Sequence, residues 1–536
     1  MLSFDAQHYP YPSRRSVVYA RRGMVATSQP LAAQAGLQVL QAGGNAIDAA
    51  IATAAALTVV EPTANGIGGD AFALVWTGGQ LHGLNASGPA PAAISLAALS
   101  ATGLKAMPKY GPLPVTVPGA PSAWRALSER FGRLPLSRTL AAAIELAADG
   151  FPLSPMVALG WEQAHKLFSE EFKAAHFQAW FDTFAGGGRA PRPGEIWRSP
   201  GHARTLQMIG EDGAEGFYRG PLAEKIAACV RSAGGYLDVA DLAAYRPEWV
   251  TPIRVDYRGY DVWEIPPNGH GLVALMALNI LKGFEFSERD CLLTHHRQIE
   301  AVKLAFADGL AHIAEPGHMR VAVSDLLSDA YADERRALIG ERASLPMPGQ
   351  PPKGGTVYLS TADAEGNMVS FIQSNYMGFG SGLVVPGTGI ALHNRGNNFS
   401  LDPDHPNCLA PGKRPYHTII PGFLSRDGQA VGPFGVMGGF IQPQGHVQVV
   451  MNSVDFGLNP QAALDAPRWQ WEEGNRVQVE HGTAPHLFHG LAGLGHEVSW
   501  SGSRLAFGRG QIIWRGGDGV LAGGTEPRTD ACVAAW

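Results

Sequence analysis

The stretch from residue 353 to residue 361 reads Lys-Gly-Gly-Thr-Val-Tyr-Leu-Ser-Thr, so two glycines stand directly before a threonine that opens a strand-like run. If the bond between Gly355 and Thr356 is cut, Thr356 becomes a new N-terminus with a hydroxyl and a free α-amine. Such a residue supplies both nucleophile and base, because the amine can accept the proton of the hydroxyl. The stretch predicts a chain that cuts itself before Thr356 and then attacks a carbonyl group with it.

Gly-Gly-Thr alone is a weak signal, since a threonine at the start of a strand is usually structural. Its surroundings favour the catalytic interpretation. A linker rich in proline and glycine, residues 343–355, precedes the threonine and is expected to be accessible. The glycines leave the Gly355 carbonyl uncrowded and permit strained backbone angles. Residues 356–361 and 368–373 are predicted to form a β-hairpin that holds the new amine on a rigid strand.

Composition narrows the class of protein. The 536 residues are 45% hydrophobic and 16% charged with a net charge of −6, so a globular chain is expected, and nucleic acid and anionic membranes are unfavourable partners. There is no apolar run of about 18 residues and no signal-peptide core at the start, which predicts no membrane span and a cytoplasmic location. The four cysteines have no CxxC spacing, so free thiols are expected rather than a zinc site or redox pair.

Hydrophobic periodicity and turn residues divide the chain into a mainly helical part before Thr356 and a mainly β part after it. The predicted elements are two helices within 27–60, strands at 71–76 and 80–85, a mostly helical region at 120–345, strands near 389–393, 417–424, 430–437 and 511–522, and a helix near 442–456. This order predicts an α+β layered fold in which both parts share one sheet system.

Further segments, spread over nearly the whole chain, carry a resemblance to a known family. They are residues 34–62, 66–70, 117–119, 266–271, 300–308, 378–382, 412–415, 452–459, 466–468 and 526–528. In their order along the chain they resemble the gamma-glutamyltranspeptidase family of N-terminal nucleophile hydrolases. The resemblance implies a proenzyme with a four-layer αββα sandwich that cleaves itself before a nucleophilic threonine, here Thr356. The fragments 1–355 and 356–536 would stay together as a heterodimer forming one composite domain, and such heterodimers can pair. No cofactor or metal is implied.

The implied chemistry starts with attack of the Thr356 hydroxyl on the Gly355 carbonyl, followed by an acyl shift from nitrogen to oxygen and hydrolysis of the ester. The freed amine can then accept the hydroxyl proton near neutral pH, because an α-amino group ordinarily has a pKa of about 8. By resemblance, Gly438 and Gly439 form the oxyanion hole, and Ser374 is a hydroxyl residue beside the nucleophile. The alternative interpretations are an ordinary turn for the glycines and a serine that merely faces the sheet. Asn375 and Tyr376 are weaker pocket candidates.

The residues that would bind a γ-glutamyl group depart from the family pattern. The segment that carries the family's carboxylate-binding arginine has no arginine here, and Ser87 is the nearest match. The amine-binding aspartate is replaced by Asn398, and the paired serines after Lys-Arg-Pro become Tyr416 and His417. Each lost charge-assisted contact commonly costs about 1.5–3 kcal/mol. Arg395 adds a positive charge nearby, unless it serves as a structural salt bridge or a solvated loop residue.

A pocket with one new cation and no acid suits a small anionic amide without an amino group. Residues 370–380 and 439–446 also resemble a subgroup that includes oxamate amidohydrolase of uric-acid breakdown, and the leading hypothesis is hydrolysis of such an amide with release of ammonia. Three alternatives stay open. They are a γ-glutamyl hydrolase or transpeptidase acting on glutathione-type amides, a cephalosporin-acylase-like amidase, and an unprocessed, non-catalytic binding relative.

Three other patterns are given structural interpretations. Residues 402–405, Asp-Pro-Asp-His, are predicted to form a solvated turn rather than a metal cluster. The pair His295-His296 is expected to cap a helix or lie at the surface. Residues 66–70, Gly-Ile-Gly-Gly-Asp, lack the spacing of a dinucleotide-binding fingerprint, so no cofactor is expected there.

Overall fold

The computed structural model of the chain describes residues 10–12, 15–345, 355–503 and 505–536. The strands are β1 (Val18–Ala20), β2 (Gly23–Thr27), β3 (Asp70–Thr77), β4 (Gln80–Ala86), β5 (Phe151–Pro152), β6 (Ile196–Trp197), β7 (Glu248–Val250), β8 (Ile253–Tyr257), β9 (Tyr260–Glu264), β10 (Gly355–Asp363), β11 (Met368–Tyr376), β12 (Gly422–Arg426), β13 (Gln429–Met437), β14 (Trp469–Glu473), β15 (Arg476–Val479), β16 (Glu497–Trp500), β17 (Arg509–Arg515), β18 (Leu521–Thr525) and β19 (Cys532–Ala535).

The helices are α1 (Pro30–Gln41), α2 (Ala46–Val60), α3 (Leu96–Ser100), α4 (Ala120–Phe131), α5 (Leu136–Thr139), α6 (Ala141–Asp149), α7 (Pro155–Glu171), α8 (Gln178–Phe184), α9 (Pro200–Asp212), α10 (Glu215–Arg219), α11 (Pro221–Ser232), α12 (Val239–Ala244), α13 (Gly271–Leu281), α14 (Leu292–His312), α15 (Val323–Leu326), α16 (Asp329–Arg336), α17 (Ile441–Val454), α18 (Pro460–Asp465) and α19 (Pro485–Gly493). Short 3₁₀ turns cover Ala175–Phe177, Pro316–His318 and Arg395–Asn398.

Two large sheets form the centre of the molecule. Among the described residues, one has the order β1-β18-β17-β13-β12-β9-β8 and the other β19-β2-β10-β11-β3-β4-β7. The sheets pack face to face where β10 contacts β13 and β17, and the Tyr358 ring occupies the space that a side chain on Gly435 would fill. Helices α1 and α2 cover the outer face of the second sheet, while α13 and α17 cover the first. The predicted α+β class with αββα layers is confirmed.

Helix α2 shows how the sequence fits this layering. Asn45 caps it by accepting from the N–H groups of Ile47 and Asp48, and Asp48 accepts from the Asn45 N–H in return. Every residue of α2 is buried, and the many alanines let the helix lie close against β10 and β11. Small side chains permit this close approach, so the all-round apolar pattern produces a buried helix rather than an amphipathic one.

Both sheets contain strands from either side of the Gly355–Thr356 bond. Strands β1, β8 and β9 precede the bond and pair in the same sheet as β12, β13, β17 and β18, which follow it. In the other sheet β10 lies between β2, which precedes the bond, and β11, which follows it. The boundary between fragments 1–355 and 356–536 stays a prediction. Residues 346–354 of the predicted linker lie outside the described residues.

Several predicted boundaries are wrong for identifiable reasons. The region 120–345 is mostly helical, as predicted, although the strands β5 to β9 also lie within it. Residues 389–393 form only isolated bridges, following glycines with positive φ at Gly387 and Gly389. The strand predicted at 417–424 begins only at residue 422. The backbone N–H groups of Ile419 and Ile420 bond to side chains instead of a neighbouring strand.

Three other local predictions have different outcomes. The segment 511–522 is two strands, β17 and β18, joined by a turn at Gly516 and Gly519. His295 and His296 are buried inside α14 rather than at its cap or the surface, so that prediction is wrong. Residues 402–404 are exposed, in line with a solvated turn. Among the described residues, no helix has the length and apolar character needed to cross a membrane.

Candidate active site

Thr356 lies next to the first residue of β10, at an irregularity in the hairpin. Gly355 pairs with Tyr376 and Val357 with Gln373, so two residues of β11, Ser374 and Asn375, stand opposite Thr356. A bulge of this kind redirects side chains relative to a regular ladder. The Thr356 side chain is 1% exposed, and its Oγ1 lies 3.1 Å from Ser374 Oγ. The predicted neighbour therefore contacts the predicted nucleophile directly.

Ser374 also holds the backbone that follows it. Its Oγ accepts a hydrogen bond from the N–H of Tyr376 at 2.7 Å. Tyr376 has φ of +72°, a left-handed conformation that is uncommon for a residue with a bulky side chain. Such conformations persist where surrounding contacts fix them, and they concentrate at functional sites. Ser374 thus couples the position of the Thr356 hydroxyl to the strained end of β11.

Replacing Ser374 with alanine is expected to slow both self-cleavage and turnover by up to about tenfold, because a typical neutral hydrogen bond contributes about 0.5–1.5 kcal/mol. The rates would be measured by denaturing electrophoresis of freshly folded chain and by product release from the mature enzyme. Ser374→Thr keeps a hydroxyl and serves as the control. Unchanged rates in the alanine variant would show that the contact with Thr356 is incidental.

Asp70, the first residue of β3, lies on the strand next to Ser374 and contacts three basic side chains. It is the cross-strand partner of Ser374 and is fully buried. Arg395 donates to it through Nε at 3.0 Å and through Nη2 at 3.3 Å. His417 donates through Nε2 at 2.6 Å, since its Nδ1 accepts from the Ile419 N–H. The Nδ1 of His393 is 3.3 Å from the same carboxylate oxygen.

The electrostatics of this cluster follow from burial and from charge pairing. Burial by itself would raise the pKa of Asp70, but Arg395 and His417 outweigh it and hold the pKa well below its usual range. Burial, with the charge of Arg395, lowers the pKa of His417 to about 4. At neutral pH the cluster therefore contains an ionised Asp70, a charged Arg395 and a neutral His417.

This arrangement corrects one sequence-based expectation, that of a pocket with a cation and no acid. Arg395 is ion-paired with Asp70 and is fully buried. The guanidinium also donates to Thr418 Oγ1 at 2.7 Å and lies 4.5 Å from the centre of the Tyr376 ring. The salt-bridge alternative for Arg395 is thus present in the structure, and its contact with a substrate stays a prediction.

The other predicted binding residues lie around the cluster in different settings. Ser87 donates to Asn85 Oδ1 at 2.7 Å, and Asn85 contacts Asn268, whose backbone carbonyl accepts the N–H of His417. Asn398 is part-buried and donates to the backbone carbonyl of Tyr416 at 3.0 Å. The structure therefore brings Tyr376, Arg395 and His417 together around Asp70, whereas Ser87 and Asn398 reach the cluster through their neighbours.

Asn375 is fully buried, and neither atom of its amide has a partner among the described residues. The amide lies against Gly66 and Gly69, in the turn that leads into Asp70. A buried amide without partners carries a substantial free-energy cost unless a ligand or ordered water satisfies it. Asn375 therefore stays a candidate for a substrate-facing residue.

Gly438 and Gly439 lie between the end of β13 and the start of α17. Their φ angles are +143° and +71°, which a side chain would disfavour. Neither backbone N–H has a hydrogen-bond partner among the described residues. Gln442, in the first turn of α17, links the pair to the cluster: its N–H donates to the Gly439 carbonyl and its Oε1 accepts from Ile420. Two free N–H groups near a helix N-terminus suit a developing oxyanion.

A separate group of possible metal ligands lies in α14 and beside β16. His296 Nδ1 is 2.9 Å from His496 Nε2, and Glu300 Oε1 is 4.0 Å from the same His496 atom. The ammonium of Lys303 already lies 2.6 Å from Glu300 Oε1 and is buried. A metal ion there would lie against this charge, so the donor set favours a buried hydrogen-bonded cluster over a metal centre.

Sequence reasoning missed Asp70, Thr418 and Gln442. Asp70 could have been predicted from the sequence, because an acid directly after Gly-Gly at the start of a buried strand needs a basic partner. Thr418 and Gln442 had none, since their roles depend on contacts made only in the folded chain.

The chain is similar over nearly its whole length to known proteins. The family model described as gamma-glutamyltranspeptidase matches residues 32–536. An oxamate amidohydrolase proenzyme from Klebsiella pneumoniae is 37% identical over 528 residues, covering 96% of this chain and 98% of that protein. The glutathione hydrolase-like YwrD proenzyme of Bacillus subtilis is 36% identical over 527 residues, covering 96% and 99%. The crystal structure of cephalosporin acylase from Bacillus halodurans is 64% identical, covers 99% of both chains and has a TM-score of 0.96.

Proposed function

Because the chain belongs to the gamma-glutamyltranspeptidase family and is an amide hydrolase of that family, we propose that it cleaves itself before Thr356 and uses the freed threonine to hydrolyse a small anionic amide, as in oxamate. The observation that carries the proposal is the contact of Thr356 Oγ1 with Ser374 Oγ at the start of β10, directly after the Gly-Gly pair. The products are the fragments 1–355 and 356–536, held together as a heterodimer.

The proposed reaction uses groups on this chain alone. The free α-amine of Thr356 accepts the proton as Oγ1 attacks the amide carbon, and the oxygen that becomes negative is bound by the N–H groups of Gly438 and Gly439. Collapse of this intermediate breaks the C–N bond, and the proton passes from the ammonium to the leaving ammonia. Water then adds to the acyl-enzyme, and the ester bond to Thr356 breaks to release the acid.

The preference for an anionic amide rests on Arg395. Its Nε, Nη2 and Nη1 each donate one hydrogen bond, which leaves one N–H on Nη1 and one on Nη2 without a partner among the described residues. Asn398 lacks the charge that would bind a substrate ammonium group. The pocket therefore favours a carboxylate without a neighbouring amine. Roles in uric-acid breakdown and in the cytoplasm stay predictions.

A second candidate substrate is a cephalosporin side-chain amide, because the cephalosporin acylase structure is 64% identical over nearly the whole chain. An acyl group of that size needs a larger pocket than oxamate does. Glutathione-type amides are a third candidate, favoured by the YwrD relative and disfavoured by the neutral Asn398.

The purified, self-cleaved enzyme is expected to release ammonia from oxamate with a kcat/KM at least tenfold above its kcat/KM for a γ-glutamyl anilide, since one charge-assisted contact contributes about 1.5–3 kcal/mol. Glutamate dehydrogenase-coupled ammonia detection and nitroaniline absorbance would measure the two rates. An acyl cephalosporin, followed by chromatography, completes the panel. Preferred turnover of either of the larger amides would contradict the substrate part of the proposal and leave the nucleophile intact.

A further inference from the structure

Asp70 is a fully buried acid that the proposed reaction does not use. It contacts Arg395, His417 and His393, and it is the cross-strand partner of Ser374, which contacts the nucleophile. A buried carboxylate surrounded by three basic side chains needs a reason beyond stability, because buried ion pairs commonly do no better than well-packed apolar residues. Its position one side chain away from Thr356 suggests a role in the pocket.

The contacts of Arg395 show which of its N–H groups Asp70 engages. Asp70 takes Nε and one N–H of Nη2, Thr418 takes one N–H of Nη1, and the Tyr376 ring lies beneath the guanidinium. The guanidinium is thereby fixed on two edges and one face. One N–H on each terminal nitrogen is left, and the buried Tyr376 hydroxyl also has no partner among the described residues. Burial raises the pKa of Tyr376, so the hydroxyl stays a donor.

Unpaired buried donors around one fixed cation need an acceptor-rich ligand. We propose that Asp70 is a positioning residue for substrate specificity, which holds Arg395 so that its unused N–H groups, with the Tyr376 hydroxyl, receive the carboxylate of an anionic amide. This inference rests on the proposed function of the Thr356 site. It adds a residue in β3, 325 positions before Arg395, to the group that selects the substrate.

The same contacts define the class of ligand further. Asp70 Oδ2 accepts from Arg395 and His417 and lies 3.3 Å from His393 Nδ1, while Oδ1 accepts from Arg395 Nη2, so both oxygens are already engaged by basic side chains. His417 is neutral at neutral pH, because burial and the charge of Arg395 lower its pKa to about 4, and it adds no second charge. The pocket therefore has donors for one carboxylate and offers no free acid for an amine. The expected ligand is a monoanionic amide without an α-amino group.

The test compares oxamate with oxamide, its uncharged analogue in which a second carboxamide replaces the carboxylate. Asp70→Asn keeps the size of the side chain, but its amide NH₂ faces the donors of Arg395 and disturbs the guanidinium. We expect kcat/KM for oxamate to fall at least tenfold more than kcat/KM for oxamide, mainly through KM. Arg395→Gln is expected to show the same selective loss. Asp404→Asn, at an exposed aspartate, is the matched control.

The double variant Asp70→Asn/Arg395→Gln removes both charges and covers the case in which the single Asp70 variant fails to fold. If the two residues act as one unit, its loss of oxamate preference equals that of Arg395→Gln alone. Equal losses on both substrates in every variant would make the pair structural and overturn the inference while the proposed function stands. A self-cleaved wild type with no preference for oxamate over oxamide would overturn it as well. A wild-type chain that never cleaves itself would contradict the proposed function, and the inference about Asp70 would fall with it.

Discussion

Replacing Thr356 with alanine is expected to leave one uncut chain of 536 residues and to abolish turnover of every substrate. The variant lacks the hydroxyl that we propose attacks the Gly355 carbonyl, so no new N-terminus should form and no α-amine should be released as a base. Enzymes lose about 10⁴-fold or more in rate when such a nucleophile is removed, because only binding and oxyanion contacts are left. Intact mass spectrometry would follow the cut, and ammonia release would follow turnover.

Thr356→Ser is the matched control for this experiment. It retains the hydroxyl and loses only a methyl group, so it should still yield fragments ending at residue 355 and starting at residue 356. Fragments of these lengths from the alanine variant would show that another group cuts the chain. A wild type that stays uncut yet hydrolyses amides would contradict the role of the N-terminal amine.

The second large effect is expected at Gly439, which lies just before α17 and has a φ of +71°. Alanine at this position disfavours that conformation and so is expected to misplace the N–H that we propose as an oxyanion donor. Removal of a single donor of this kind typically lowers kcat by about 10²–10³-fold. The kcat of mature Gly439→Ala, measured at saturating substrate, is expected to fall by this amount with a smaller change in KM.

Gly428 provides a control that separates backbone strain from catalysis. Its φ is +70°, it lies in the turn between β12 and β13, and an added Cβ there meets nothing within 4 Å. Gly428→Ala therefore imposes a similar conformational cost in an exposed turn that contributes no residue to the candidate site. Similar losses of kcat in the two variants would mean that strain in β13, rather than a lost oxyanion donor, limits the reaction.

The hairpin of β10 and β11 could be predicted because its information is local. Alternating apolar residues and the turn around Gly366 specify it without help from the rest of the chain. The strands β8 and β9 have a similar alternation of apolar residues at Val255, Tyr257 and Val262. They were not predicted, because the sequence around them has a helical pattern. Local periodicity thus accounts for most of the layers.

The chemistry around the nucleophile could be predicted only in part. Thr356 and Ser374 are 18 residues apart on one hairpin, so their contact follows from the turn. Asp70 and Arg395 are 325 residues apart, and only the fold of the whole chain, with β11 paired to β3, brings them together. The strand prediction for residues 417–421 is wrong because backbone N–H groups there bond to the side chains of His417 and Gln442, which no periodicity reveals.

Because both sheets contain strands from the two prospective fragments, the order of folding and cleavage matters for assembly. While the chain is uncut, β2 and β10 belong to one polypeptide, so their pairing requires only the closure of an intramolecular loop. After the cut, the same pairing between separated fragments becomes a meeting of two molecules, and the effective concentration supplied by the connecting chain is gone. If the chain cleaves itself as proposed, the mature enzyme depends on having folded before the cut, because separated fragments would have to find each other again by diffusion.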